Sequence, residues 1–339
     1  MSKLPDTATL KLPSTFDPVT DAQAIRTIMK NKGATAEDVI EVIVPRTIHQ
    51  RTQIRSTYEH LFNSDIIGDI TNGKSNELED LLYIMFYGPI NFTAKEMVKK
   101  FKSDDIDDCL ITLKNAELVD FRKAYETFKK KEKKPKELEE AIQDHTKGLH
   151  TQLILSILAG NKEEIPFEKV KAHFEEHKSI DGIVDAELVC SDAKALHDAV
   201  EKKNVNEEVF VGIIGKRDDF HLKCVYTAFK NAYGTSLVEY IDKHVSKPLK
   251  NSLNTLVMKA VDERLLTTAQ VYNSMKGLGT NEKMLARIIA TRAENDLEII
   301  KFLYEERIGK GLAETVHSET SGDLKTYLLC LLGVQMKSK

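Results

Sequence analysis

The sequence predicts an all-α protein built from four related helical units. Three observations carry the prediction: apolar residues recur at helical spacing, short segments repeat along the chain, and an aromatic residue follows each repeat. Leu297, Ile300 and Tyr304 recur at i, i+3 and i+7, and Leu324, Leu328 and Leu331 form a similar stripe. After Thr280, the residues Leu285, Ile288 and Ile289 build one apolar side. Two β-branched stretches, residues 38–44 and 209–214, could pass for strands. A 3.6-residue period also fits them, and both fall at the same place in the repeat, so buried helices are expected there.

The units follow one another in order. The first opens on Asp21-Ala-Gln-Ala-Ile, the third on Asp192-Ala-Lys-Ala-Leu and the fourth on Thr268-Ala-Gln-Val-Tyr. A fainter second copy begins at Thr93-Ala-Lys-Glu-Met and continues through Cys109-Leu-Ile. Each opening precedes a polar loop and then an apolar helix, and the following aromatics are Tyr58, Tyr125, Phe229 and Tyr304. The expected boundaries are an N-terminal segment over 1–17, repeat I over 18–86, repeat II over 90–160, repeat III over 183–258 and repeat IV over 262–335. The polar stretch 161–182, which carries Pro166, reads as a linker.

Composition narrows the function. With 41% hydrophobic residues the chain can bury a sizeable core, and its net charge of −4 argues against a nucleic-acid partner. It also argues against membrane attachment by bulk positive charge, so contact with an anionic surface would need a bridging cation. The four cysteines are widely spaced and read as reduced, buried thiols of a cytosolic protein. The first residues lack a signal-peptide core, and no apolar run reaches the ~18 residues of a membrane span. Any membrane contact is therefore expected to be peripheral.

The fourth copy carries Met275-Lys-Gly-Leu-Gly-Thr-Asn-Glu-Lys283, and forty residues after Gly279 stands Glu319 within His317-Ser-Glu-Thr-Ser-Gly-Asp323. Together with Pro45-Arg-Thr-Ile-His-Gln-Arg51 in the first copy, this pattern resembles the annexin repeat, over about residues 18 to 335. The likeness is specific in copy four and faint in copy two. It implies four repeats of about five helices each forming a curved disc, with calcium loops on the convex face. It further implies that the carbonyls of Met275, Gly277 and Gly279 ligate Ca2+ and that Glu319 closes the site with both carboxylate oxygens. The chemistry agrees, because calcium takes six to eight oxygens at flexible angles and glycine can turn consecutive carbonyls toward one point. Remaining positions would go to water or a lipid phosphate. Lys276 and Leu278 are the expected membrane contacts, and Thr280 and Glu282 are secondary metal candidates.

The other copies depart from the pattern. Copy one has Asn31 before Gly33, and Gly73 where the carboxylate should be. Copy two has a shortened loop with Asp104 and Asp105, a further metal candidate that also reads as a solvated acidic helix start, and His145 at the closing position beside Asp144. Copy three has Lys202-Lys-Asn-Val-Asn206 and His244. Imidazole suits this hard cation poorly, so one good site is expected.

The expected function is thus reversible, calcium-dependent binding to acidic phospholipid membranes by a cytoplasmic protein, on their inner face. A monomer in solution that assembles on membranes fits a single site of modest avidity. The alternative is a calcium-independent scaffold with a cytoskeletal partner, docking through Lys129, Lys130, Lys131, Lys133, Lys134 and Lys136. Catalysis is not expected. Gly68-Asp-Ile-Thr-Asn-Gly-Lys74-Ser75 matches a phosphate-cradling loop, but no core strand precedes it. The ten histidines show no H-E-x-x-H or other zinc spacing, and there is no G-x-S-x-G.

Overall fold

Nearly every segment with regular structure is a helix, and the reasons are local. In the computed structural model, which describes residues 6–73, 77–99, 109–177, 182–201, 204–277 and 279–335, α1 (Pro18–Lys30) starts with proline at its first position. Asp17 accepts from the amides of Val19 and Thr20, satisfying donors that a helix start otherwise leaves orphaned. A short loop leads to a 3-10 turn over Ala36–Val39 and then α2 (Ile40–Ile43), so the first β-branched stretch is helical, as its period predicts. A reciprocal pair of bonds between Thr47 and Gln50 opens α3 (Ile48–Phe62), and Asn63 ends it in the left-handed region. There follow α4 (Ile66–Thr71), α5 (Glu77–Tyr87) and α6 (Pro89–Lys99).

The middle of the chain forms α7 (Asn115–Lys129), α8 (Leu138–His145), α9 (Gly148–Leu158), α10 (Phe167–His177), α11 (Ala186–Asp198), α12 (Glu207–Ile214), α13 (Asp219–Tyr233) and α14 (Leu237–His244). The second β-branched stretch lies inside α12 and is helical too. Between α11 and α12, Val200–Glu201 pairs antiparallel with Asn204–Val205, the one strand pair among the described residues. The segment read as a linker contains α10, a helix that its polar composition does not announce. Next comes α15 (Leu249–Met275), broken at Asp262, whose backbone is extended (φ −160°, ψ 106°). The last helices are α16 (Glu282–Arg292), α17 (Leu297–Ile308), α18 (Leu312–Glu319) and α19 (Gly322–Leu331).

Two compact units result, Met1–Phe92 with Thr267–Lys339, and Thr93–Leu266. In the first, the two ends of the chain share one core: Ile25, Ile54, Tyr58, Leu81 and Phe86 join Leu285, Ile289, Tyr304 and Tyr327 in a single buried cluster. Each such side chain contributes roughly 1.5–3 kcal/mol by leaving water. The second unit buries Phe121, Tyr125, Leu153, Phe210 and Phe229. There α9 approaches the end of α12 closely at Gly215, where an added Cβ would lie 2.5 Å from Leu153 Cδ1 and 2.7 Å from the Val211 carbonyl oxygen. The four aromatics that mark the repeats are all buried.

One ion pair recurs with the repeat. Arg46 grips Asp21 with Nε at 2.6 Å and a terminal nitrogen at 2.9 Å. Arg217 grips Asp192 in the same two-point way, at 2.7 and 3.2 Å. In the fourth copy Arg292 instead donates to the Thr267 hydroxyl at 3.1 Å. All three span 25 residues; Arg46 and Arg217 lie in the turn before the third helix of their repeat, whereas Arg292 is the last residue of α16 and also pairs with Asp296 at 3.5 Å.

A second pairing joins the two halves of the first unit. Arg51 is 1% exposed and donates to the Met85 carbonyl at 3.2 Å and to Glu294 at 3.3 Å. Burial pulls the guanidinium down to about 10, and Glu294 opposes the shift, so it remains a cation at neutral pH. Glu294 also accepts from the Ile48 amide at 2.6 Å, at the start of α3. Glu294→Ala leaves that cation without its counter-charge and is expected to destabilise the protein by about 3–5 kcal/mol. Chemical denaturation measures it, and a loss below about 1 kcal/mol would show that this pair is not a structural tie.

Candidate metal centre

The loop between α15 and α16 is built to expose carbonyl oxygens. Gly277 has φ 103° and Gly279 φ 95°, in the region open to glycine at little cost, and a Cβ at either would meet nothing within 4 Å. Conformation, and not crowding, is what glycine supplies here. The loop is pinned at its base, where the Asn281 amide donates to the Ser274 carbonyl at 2.7 Å. The Asn281 side chain then caps α16 by accepting from the Met284 amide at 3.2 Å. Among the described residues no backbone amide donates to the carbonyls of Met275, Gly277 or Gly279.

Glu319 faces this loop from the end of α18. The Thr280 hydroxyl lies 3.2 Å from the Glu319 carbonyl oxygen and 3.5 Å from its Oε2, so loop and carboxylate meet across 39 residues of sequence. Met275 is buried and anchors the loop, whereas Lys276, Gly277, Gly279 and Glu319 are exposed. Glu282 stands in the first turn of α16, and its carboxyl is pushed up by burial and by the carboxylate of Glu77. Its electrostatic partner is therefore α5, and not Glu319. Leu278 lies outside the described residues, as do Asp104, Asp105, Lys74, Ser75, Lys202 and Lys203.

Among the described residues no three His, Cys, Asp or Glu side chains gather into a metal-binding group. A cation at this loop must therefore draw mainly on backbone oxygens, which suits calcium and no soft metal.

The equivalent closing positions are now visible as structure. α8, α14 and α18 are each eight residues long and end at His145, His244 and Glu319. Each is followed by an extended residue (Thr146, Val245, Thr320) and soon by another helix. His145 Nδ1 lies 2.8 Å from the carbonyl of Ala141 in its own helix, and the neighbouring Asp144 is ion-paired with Lys136. His244 is pushed down by burial and then by Lys243, which favours its neutral form. In the first copy Gly73 follows α4 with φ 69° and offers no carboxylate. The nearby Asp69 is occupied, accepting from Arg26 at 2.6 Å, Tyr58 at 2.7 Å and Ser64 at 2.8 Å.

Two other sequence features change character in three dimensions. Gly68 is inside α4, its amide donates to Asp65 at 2.7 Å, and no strand leads into it. The first four residues of the phosphate-loop match are thus helical, Asn72 and Gly73 turn left-handed after them, and its first amide is already bonded. Of the six candidate lysines, Lys129 is buried between Glu126 and Glu137, both at 2.7 Å, and Lys136 pairs with Asp144. Lys130, Lys131, Lys133 and Lys134 are exposed.

Comparison with known proteins bears on the family and the fold. The Annexin family profile matches residues 20–85, 191–256 and 268–331, and passes over the copy whose likeness is faintest. The chain is 30% identical to annexin A13 of Schistosoma japonicum over 336 residues, covering 96% of this chain and 94% of that protein. It is 29% identical to annexin A13 of Mus musculus, covering 94% and 95%. Calcium-bound annexin (Sm)1 superimposes with a TM-score of 0.84 at 25% identity, covering 98% of this chain and 94% of the other. Annexin III does so with 0.82 at 25% identity, covering 97% and 98%. The chain belongs to the annexin family, whose members bind acidic phospholipids in a calcium-dependent way.

Proposed function

We propose that this annexin attaches to acidic phospholipid membranes through one principal calcium ion, held by the carbonyls of Met275, Gly277 and Gly279 and by the carboxylate of Glu319. The observation that carries the reading is the meeting of two left-handed glycines with Glu319, bridged by Thr280. The donors are all oxygen, and the loop has open space on the side a Cβ would occupy. When bound, the ion supplies positive charge that a lipid phosphate can complete. The chain's own part is to hold the loop open, which the Asn281–Ser274 bond does at its base. Lys276 is exposed beside the loop and is placed to meet a phosphate. Thr280 orients Glu319 and is not itself required as a ligand.

Attachment of this kind is peripheral and reversible. Among the described residues no helix is long and apolar enough to cross a membrane. The proposed setting is the cytoplasmic, inner face of membranes, with a monomer in solution assembling on the surface. Copies one, two and three lack the closing carboxylate, so calcium affinity rests on the fourth. A second reading has one observation in its favour: four exposed lysines follow α7 and form a small basic patch suited to an acidic cytoskeletal partner.

Glu319→Ala is expected to raise the calcium needed for half-maximal pelleting with phosphatidylserine liposomes by about tenfold or more. Pelleting that is unchanged in the variant would remove the assignment. Gly279→Ala adds no clash, only a left-handed alanine costing about 1–2 kcal/mol. The calcium-free loop can relieve that strain and the calcium-bound loop cannot, so calorimetric calcium affinity should fall about five- to thirty-fold while thermal stability without calcium is unchanged. Neutralising Lys130, Lys131, Lys133 and Lys134 together is expected to abolish co-sedimentation with actin filaments in chelator and leave liposome binding intact. Filament binding that survives would dismiss the basic patch as a docking site.

A further inference from the structure

The helix α10, which the sequence reading leaves as a polar linker, changes the meaning of two histidines. His173 and His177 are four residues apart, and in a helix that spacing places them on one face, one turn apart. Their ring centroids are 4.5 Å from each other, with the planes tilted by 47°. We infer that these two imidazoles chelate a borderline divalent transition-metal ion such as Zn2+, Ni2+ or Cu2+, at a site separate from the calcium loop of the fourth repeat.

The geometry is suited to the chemistry. An ion about 2.1 Å from one nitrogen of each ring would lie roughly 3 Å from each centroid. Two centroids 4.5 Å apart then subtend an angle near a right angle, the arrangement of two adjacent coordination positions. Imidazole nitrogen suits Zn2+, Ni2+ and Cu2+, whereas calcium prefers hard oxygens, so the two sites would not compete for one ion. The surroundings also favour a cation. The pair occupies the last turns of α10, where the helix dipole places partial negative charge. The Glu176 carboxylate stands 3.6 Å from His177 Nε2 and adds a full one. His173 packs its Cε1 toward Gly182, where an added Cβ would be 3.5 Å away, so that ring is already partly positioned.

Among the described residues these two imidazoles are the protein ligands, and no third His, Cys, Asp or Glu there completes a group. His177 is half exposed, with a side-chain exposure of 52%, so an ion can enter without local unfolding. Because binding would need both rings on one helical face, the bound ion would also stabilise the end of α10.

The test is isothermal titration of the full chain with Ni2+ and with Zn2+, in the presence of calcium to keep the fourth-repeat loop occupied. Wild type is expected to bind one equivalent that His173→Ala and His177→Ala each weaken about tenfold or more. Neither ring is in the core, so both variants should fold, and far-ultraviolet dichroism checks that they do. The double exchange E175H/H177E keeps composition and charge but leaves the second imidazole two residues from His173, off its face, and it should lose the equivalent as well. Unchanged binding in both single variants, or full binding in the exchanged one, would overturn the assignment. Liposome pelleting in calcium should stay unchanged throughout.

Discussion

In the first unit, the carboxylate of Glu294 holds together parts of the chain far apart in sequence. It sits at the start of α3, where the Ile48 amide has no partner within its own helix, and accepts from it. It also meets the guanidinium of Arg51, which is almost wholly buried. Burial raises the carboxyl of Glu294 despite the attraction of Arg51, and it lowers the guanidinium despite Glu294. Both groups are thus dearer inside than in water, and each is tolerable only because the other is there. Such a pair fixes which surfaces meet more than it adds net stability. The shared core of the first and last repeats supplies the stability, and Arg51 and Glu294 set its register.

That register carries the candidate metal loop. α16 packs on α5 beneath the loop, and Lys283 pairs with Asp80 across that contact at 3.3 Å. Tyr327, the sixth residue of α19, donates to the Ala36 carbonyl at 2.7 Å. The phenol is deeply buried, and its proton is held far above the usual range by that burial. With Thr326, whose hydroxyl donates to Glu37 at 2.9 Å, it ties the last helix of the fourth repeat to the 3-10 turn of the first. Rigid support on both sides lets a loop with exposed glycines keep a defined shape, since glycine alone would leave it loose.

Much of this was readable in the sequence, for identifiable reasons. Helices announce themselves by period, so the β-branched stretches around Val42 and Val211 fit a 3.6-residue spacing, and both carry α-helix. A carbonyl-based cation site also writes a legible signature, because it needs glycines at close spacing and one carboxylate at a fixed distance. The equivalence of His145, His244 and Glu319 was readable from counting, and three eight-residue helices express it. Pairings between residues of opposite charge were not legible. Asp21 with Arg46 and Asp192 with Arg217 look like ordinary surface charges until the fold brings them to a shared, buried contact. Lys129 was counted into a basic patch for the same reason, since charge runs do not reveal which members are neutralised. His173 and His177 were missed differently. Their spacing has meaning only on a helix, and a polar segment with Pro166 gave no apolar period to predict one.

The divergence of the repeats has a physical logic. The two-point Asp–Arg contact persists where the closing carboxylate is gone, as in copies one and three, and gives way to a hydroxyl in copy four, where the carboxylate remains. Losing the closing carboxylate therefore does not cost the fold contact, so the two are separable along this chain. That separability is expected, because a surface loop can lose a ligand without a core defect, whereas a buried aspartate stripped of its arginine would destabilise the whole unit. A chain of net charge −4 gains nothing from bulk attraction to an anionic bilayer, so the calcium proposed at the fourth-repeat loop would gather the needed charge. Each molecule would then hold the surface weakly, and firm attachment would come from several molecules engaging it together, so that calcium and surface density jointly set occupancy.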